Sequence, residues 1–275
     1  MRIYATLLCV VLLLGIASAG YCQWWDMGVM SAWTTARWAG MGGAGIAAAN
    51  DAAAIDFNPA NLPNMELDGV DGIAPLTWGG TATYGQGDFD DLSLKIGARS
   101  NQSNWGVGFS YERASNGWHD NIYTLGFGAN ADTGSWSWGV SAARDEWSGN
   151  SETWVNVGLL FAIPQPNGAP IQVGAIASNI LEDDSDPRFY NLGVAVPIGD
   201  RALLAADWWD INDEWWEHYN FGAEVNVAPE WCVRLGRWDE DWTGGVGFRQ
   251  GRLSVDAAYI DQSDAQWLVS ASSPF

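Results

Sequence analysis

The feature that most limits the possible folds is a strict two-residue period that returns along most of the chain. In SNWGVGFSYER, Trp105, Val107, Phe109 and Tyr111 are apolar, whereas Asn104, Gly106, Gly108, Ser110 and Glu112 are small or polar. The same alternation runs through Tyr123, Leu125, Phe127 and Ala129, through Trp136, Trp138, Val140 and Ala142, and through Tyr219, Phe221, Ala223, Val225 and Val227. Successive side chains of a strand point to opposite faces, so each run reads as a β-strand with one apolar face. Turn clusters such as Ser115-Asn116-Gly117, Asp132-Thr133-Gly134 and Pro166-Asn167-Gly168 separate the runs, giving a meander of hairpins.

A soluble sandwich also alternates, but its second face meets water and carries Lys, Glu and Thr. Here the second face is Gly, Ser, Asn and Ala, which suits the crowded inside of a closed barrel. Charged residues make up 16% of the chain, against about 25% in an ordinary soluble domain, while Trp occurs 19 times. Trp105, Trp118, Trp147, Trp154, Trp208, Trp215, Trp231, Trp238, Trp242 and Trp267 gather near run ends, as in the aromatic girdles of membrane barrels. No segment beyond the first 20 residues holds the apolar stretch of a membrane helix. The expected fold class is all-β: a transmembrane antiparallel up-and-down β-barrel.

The first residues, MRIYATLLCVVLLLGIASAG, combine a basic start, a short apolar run and Ala17-Ser18-Ala19 as a cleavage site. Residues 1–19 are therefore expected to be a cleaved signal peptide for export. Cys22 and Cys232 then remain, either as one bridge or as two free thiols. The formal charge of −21 disfavours nucleic acid as a partner. Fifteen runs are legible; the first two, 67–75 and 77–86, adjoin around Pro75 and count as one bent strand, giving about fourteen. The final run places Trp267, Val269, Ala271 and the terminal Phe275 on one face, as outer-membrane barrels commonly end. The expected division is a signal peptide at 1–19, an N-terminal plug segment at 20–64 and a transmembrane barrel at 65–275.

The segment ahead of the barrel contains Gly40, Gly42 and Gly45 in a G-x-G-x-x-G spacing. A dinucleotide turn needs a preceding strand and a following crossover helix, and neither is present in the pattern. Three runs in this segment, RWAGMGGAGIA (37–47), NDAAA (50–54) and NPANL (58–62), together resemble the N-terminal signature of the FadL/PorV superfamily of outer-membrane proteins. GAEVNVAPEWCVRLGR (222–237), GGVGF (244–248) and LSVDAAY (253–259) resemble its PorV-like branch. Asn61 departs from the glycine usual in that box. The resemblance implies a fourteen-stranded barrel whose N-terminal segment folds into the lumen as a plug, or hatch. Its motif residues here are Arg37, Gly40, Gly42, Gly43, Gly45, Asp51, Asn58 and Pro59.

Independently, the small residues of this segment allow close backbone packing against an inner wall rich in Gly and Ser. Alternation points Lys95, Arg99, Glu112, Glu224, Arg234, Arg249 and Asp256 inward. Buried charges need partners, so these seven are expected either to form a lumenal network touching the plug or, for some, to sit in water at the rims.

Function is expected to be nonenzymatic. His119 and His218 are the only histidines, no metal-ligand spacing accompanies them, and no G-x-S-x-G elbow occurs. No cofactor and no resident metal is expected, although acidic runs 88–91, 182–186 and 239–241 read either as solvated loops or as calcium sites. The family resemblance implies an exported outer-membrane protein of a diderm bacterium, its partners the lipid bilayer and either a hydrophobic small molecule or a secretion-system protein. The first of these implies passive transport of hydrophobic compounds; the second implies a nontransporting partner in protein secretion and surface attachment.

Overall fold

The computed structural model describes residues 35–67, 76–86, 91–113, 121–131, 134–147, 150–166, 168–181, 187–214, 217–261 and 266–274. Residues 1–34, which include the expected signal peptide and Cys22, lie outside this set, as do His119, Trp118, Trp215 and Phe275.

Fourteen antiparallel strands form one closed barrel: β1 (Leu76–Gln86), β2 (Asp91–Ser100), β3 (Trp105–Arg113), β4 (Asn121–Asn130), β5 (Trp136–Trp147), β6 (Asn150–Ile163), β7 (Ile171–Ser178), β8 (Phe189–Ile198), β9 (Ala202–Trp209), β10 (His218–Ala228), β11 (Trp231–Trp238), β12 (Asp241–Gln250), β13 (Leu253–Asp261) and β14 (Gln266–Pro274). Each strand pairs with the next in sequence, and β1 closes the ring on β14 with Gly79 opposite Pro274 and Gln86 opposite Trp267. No helix among the described residues is long and apolar enough to cross a membrane.

The two faces of every strand differ as the alternation requires. Leu125 is 64% exposed and Leu235 59%, on the outside, whereas Ser110 and Ser137 are buried on the inside. Aromatic pairs sit across neighbouring strands on the outer face, among them Trp231 with Phe248 at 4.7 Å and Tyr259 with Trp267 at 4.8 Å between ring centroids. Trp208, Trp231, Trp242 and Trp267 are exposed there. Trp154 and Trp238 correct the expectation: both are buried and share the inward parity of Leu160 and Arg234. Nearness to a strand end sets a residue's height along the barrel, but parity sets its face.

The run at 67–75 supplies no separate strand to the ring, which opens at Leu76; Leu67 is buried in the interior and 68–75 lie outside the described residues. Segment 35–67 runs through the lumen. It forms a short helix at Ala36–Gly40, a second at Ala54–Phe57 and a 3-10 helix at Pro59–Asn64. The first packs on β11 to β14 and the 3-10 helix on β2 to β6, so the segment reaches opposite walls. Trp38, Met41, Ile46, Ile55, Phe57, Leu62 and Met65 are buried together with Leu160, Ile176 and Trp209 of the wall. Trp38 meets Phe57 edge-on at 5.8 Å. Burying each of these two rings contributes roughly 1.5–3 kcal/mol.

Small inward residues are what admit the segment. A Cβ added at Gly128 or Gly139 would overlap the Pro59 backbone, and one at Gly222 or Gly236 would overlap Met41 and Gly42. Replacing Gly139 with Val is therefore expected to lower stability by about 1–3 kcal/mol, the usual cost of overpacking. The same change at Gly134, whose added Cβ meets nothing within 4 Å, tests only its positive φ of 66°. Thermal unfolding of detergent-solubilised protein, with protease access to segment 35–67 as a second readout, checks the difference.

Candidate functional site: the lumenal polar contacts

The lumenal segment owes its local shape to a few polar groups. Thr35 caps the first helix, its hydroxyl accepting from the Trp38 amide. The chain reverses through Gly42 and Gly43, whose φ values of 66° and 72° lie in the left-handed region. A side chain at Gly42 would also press on the carbonyls of Phe221 and Arg237. Asn58 caps the 3-10 helix by accepting from Ala60 N at 3.0 Å, with Pro59 at the first helical position, where its missing N–H costs nothing. The Asn58 amide donates to the Ile46 carbonyl and to the Leu159 carbonyl of β6, both at 3.1 Å. Asn61 donates to the same Ile46 carbonyl at 3.1 Å. This one carbonyl thus fastens the glycine-rich strip to the NPAN box.

Two ion clusters join the segment to the wall. In the first, the Arg37 guanidinium forks onto Glu224 of β10, with Nε to Oε2 at 3.1 Å and Nη2 to Oε1 at 3.0 Å. Its Nη1 donates to Asn50 at 2.7 Å and lies 3.7 Å from Asp51. Glu224 also accepts from Arg234 Nε of β11 at 2.6 Å, and Arg234 Nη1 stands 2.8 Å from Asp256 of β13. Burial by itself would lower the Arg37 pKa, but Glu224 and Asp51 outweigh it and hold the group above its ordinary value.

In the second cluster, Lys95 Nζ of β2 donates to Asp56 at 2.6 Å and, at shorter range, to Glu112 of β3. Asp56 also accepts from the Ser110 hydroxyl at 2.9 Å. Burial pushes the Asp56 carboxyl up to about 6, with Lys95 opposing the rise and Glu112 adding to it. A third tie is uncharged on the segment side: Asp207 Oδ2 of β9 accepts from Ile46 N at 3.0 Å.

Of the seven inward residues expected from sequence, five enter these clusters: Lys95, Glu112, Glu224, Arg234 and Asp256. Arg99 and Arg249 point inward by parity near the end of the barrel where the chain leaves β2 and β12, and neither forms an ion pair among the described residues. Asp51 finds its partners within the segment, accepting from Trp38 Nε1 at 3.0 Å and from Ala53 N at 2.9 Å. Gly40 stacks on Gly245, and Gly45 on the Phe57 ring. Sequence reasoning missed Asp56 and Asp207. Asp207 was within reach, because parity with Ala205 and Trp209 in β9 points it inward. His218 faces inward and stacks on Trp209 at 6.0 Å. Cys232 has no disulfide partner among the described residues, and Cys22 lies outside them. Among the described residues no three His, Cys, Asp or Glu side chains are grouped to hold a metal, and the acidic runs at 88–90 and 182–186 lie outside them.

The chain matches the toluene transporter TodX of Pseudomonas putida, with a TM-score of 0.53 and 12% identity over 87% of this chain and 96% of that one. It also matches a FadL homologue of Pseudomonas aeruginosa, with a TM-score of 0.53 and 12% identity over 94% and 99%. The shared property is the fold. No protein-family model and no curated protein matches the chain.

Glu224 carries the heaviest charge load, since two arginines converge on it. Replacing it with Gln is expected to cost roughly 3 kcal/mol by leaving Arg37 and Arg234 underneutralised. Restoring balance with Arg37→Met in the same chain should recover part of that loss. Urea unfolding of the two variants beside the wild type checks both statements.

Proposed function

We propose that the chain is an outer-membrane barrel that carries hydrophobic small molecules passively, with segment 35–67 as the plug that gates the lumen. The observation that carries this reading is the segment itself, which fills the barrel and is tied to the wall by hydrogen bonds and ion pairs. Its barrel is shared with a toluene transporter and a FadL homologue. An apolar outer face with aromatic pairs supports residence in a bilayer.

The lengths of the connections support one sidedness. β1 starts and β14 ends at one mouth, two-residue turns occur at both, and the two longest connections lie at the other mouth; long loops belong to the extracellular side. The longer connections 179–188 and 210–217 then face outward. His218, Asp210, Trp209 and Trp238 lie buried beneath that outer mouth, so a molecule entering from outside first meets a packed aromatic and polar layer.

Transport is tested by uptake of labelled toluene into cells that make the full-length protein, compared with cells that do not. Faster uptake with the wild type, and a further increase of several-fold with Glu224→Gln, is expected if loosening the Arg37 tie opens the route. Equal uptake in all strains, together with a stoichiometric protein copurifying in mild detergent, would replace transport with the role of a secretion partner.

A further inference from the structure

Among the described residues, Arg249 stands unpaired at a cavity in a chain rich in acid. The sequence holds 33 acidic residues against 12 basic ones, and the inward cations Lys95 and Arg234 are both taken by carboxylates. Arg249 has inward parity and stands exposed at the end of β12. Like Arg99, it makes no side-chain hydrogen bond and no ion pair among the described residues, but of the two only Arg249 lines a cavity together with a second arginine of this kind. It lines two adjoining cavities at the periplasmic mouth, one of about 100 Å³ and one of about 450 Å³. Arg201, from the turn between β8 and β9, lines the larger cavity and is likewise without a side-chain partner among the described residues.

The floor of the larger cavity is Glu224, Arg234 and Asp256, whose charges already answer one another and Arg37. What stays available for a visitor is therefore the two arginines, with the Ser254 side chain lining both cavities. Asp200 and Glu230 stand exposed at the mouth, where they repel molecules bearing several negative charges. A guanidinium offers two parallel N–H donors that match the two oxygens of a carboxylate or a phosphate. The larger cavity falls in the range of roughly 300–1,000 Å³ typical of small-molecule sites.

We propose that Arg249 and Arg201 form a binding site, open to the periplasm, for a small organic anion bearing one carboxylate or one phosphate group. This goes beyond the transport reading and rests only on the sidedness given with it, because the site needs no passage through the barrel.

Isothermal titration of the full-length protein in detergent, with benzoate in one arm and phenyl phosphate in the other, tests the site. Saturable one-to-one binding of at least one probe is expected. Arg249→Gln should weaken it about tenfold or more, the loss of one bidentate contact, and Arg249→Lys should restore part of it by returning the charge without the fork. Arg144→Gln, an exposed arginine paired with Glu146 on the outer face, should bind as the wild type does. Unchanged thermal unfolding of Arg249→Gln shows that the variant is folded. Binding of benzoate alone assigns the site to carboxylates, and binding of phenyl phosphate alone assigns it to phosphates. No saturable heat with either probe, or equal binding by Arg249→Gln and the wild type, overturns the proposal.

Discussion

Closure of β1 on β14 is the constraint from which the rest follows. In hydrocarbon a backbone N–H or C=O without a partner costs several kcal/mol, so a sheet can sit there only if it has no edge. The pairing from Gly79 with Pro274 to Gln86 with Trp267 removes the last edge. A ring of fourteen strands leaves an interior too wide for wall side chains alone to fill, particularly when those side chains are Gly, Ser and Thr. The lumenal segment supplies the missing volume, with apolar residues such as Met41, Ile46, Ile55 and Leu62 in a place that would otherwise hold water. Glycines on the wall and apolar residues on the segment are two halves of one packing solution.

The polar contacts have a different logic. In the two ion clusters each wall charge also has a partner on the wall: Lys95 keeps Glu112, and Glu224 keeps Arg234, which keeps Asp256; Asp207, which accepts from Ile46 N, has no ion pair among the described residues. Lys95 and Glu112 balance each other on β2 and β3, whereas Glu224, Arg234 and Asp256 leave one negative charge on β10, β11 and β13 that Arg37 answers. Arg37 and Asp56 add to these pairs from the segment side. Since a buried charge without a partner is costly, these wall pairs lower the penalty of any rearrangement in which the segment gives up its contacts. This suits a barrel whose interior is filled by a separable piece of chain.

The sequence on its own determined the strands and their faces, because a period of two depends only on local backbone geometry and on the contrast between Phe109 or Leu125 and Ser110 or Gly126. It also pointed Lys95, Glu112, Glu224, Arg234 and Asp256 inward. Trp154 and Trp238 were misread because their position near strand ends says nothing about their side of the sheet. Only the tertiary structure decided which charges meet. Arg37 reaches Glu224 across 187 positions and Lys95 reaches Asp56 across 39, distances that no local pattern encodes. Arg249, at the mouth, pairs with no carboxylate among the described residues, since pairing in the lumen is fixed by the path of the segment through it and not by the order of residues along any one strand.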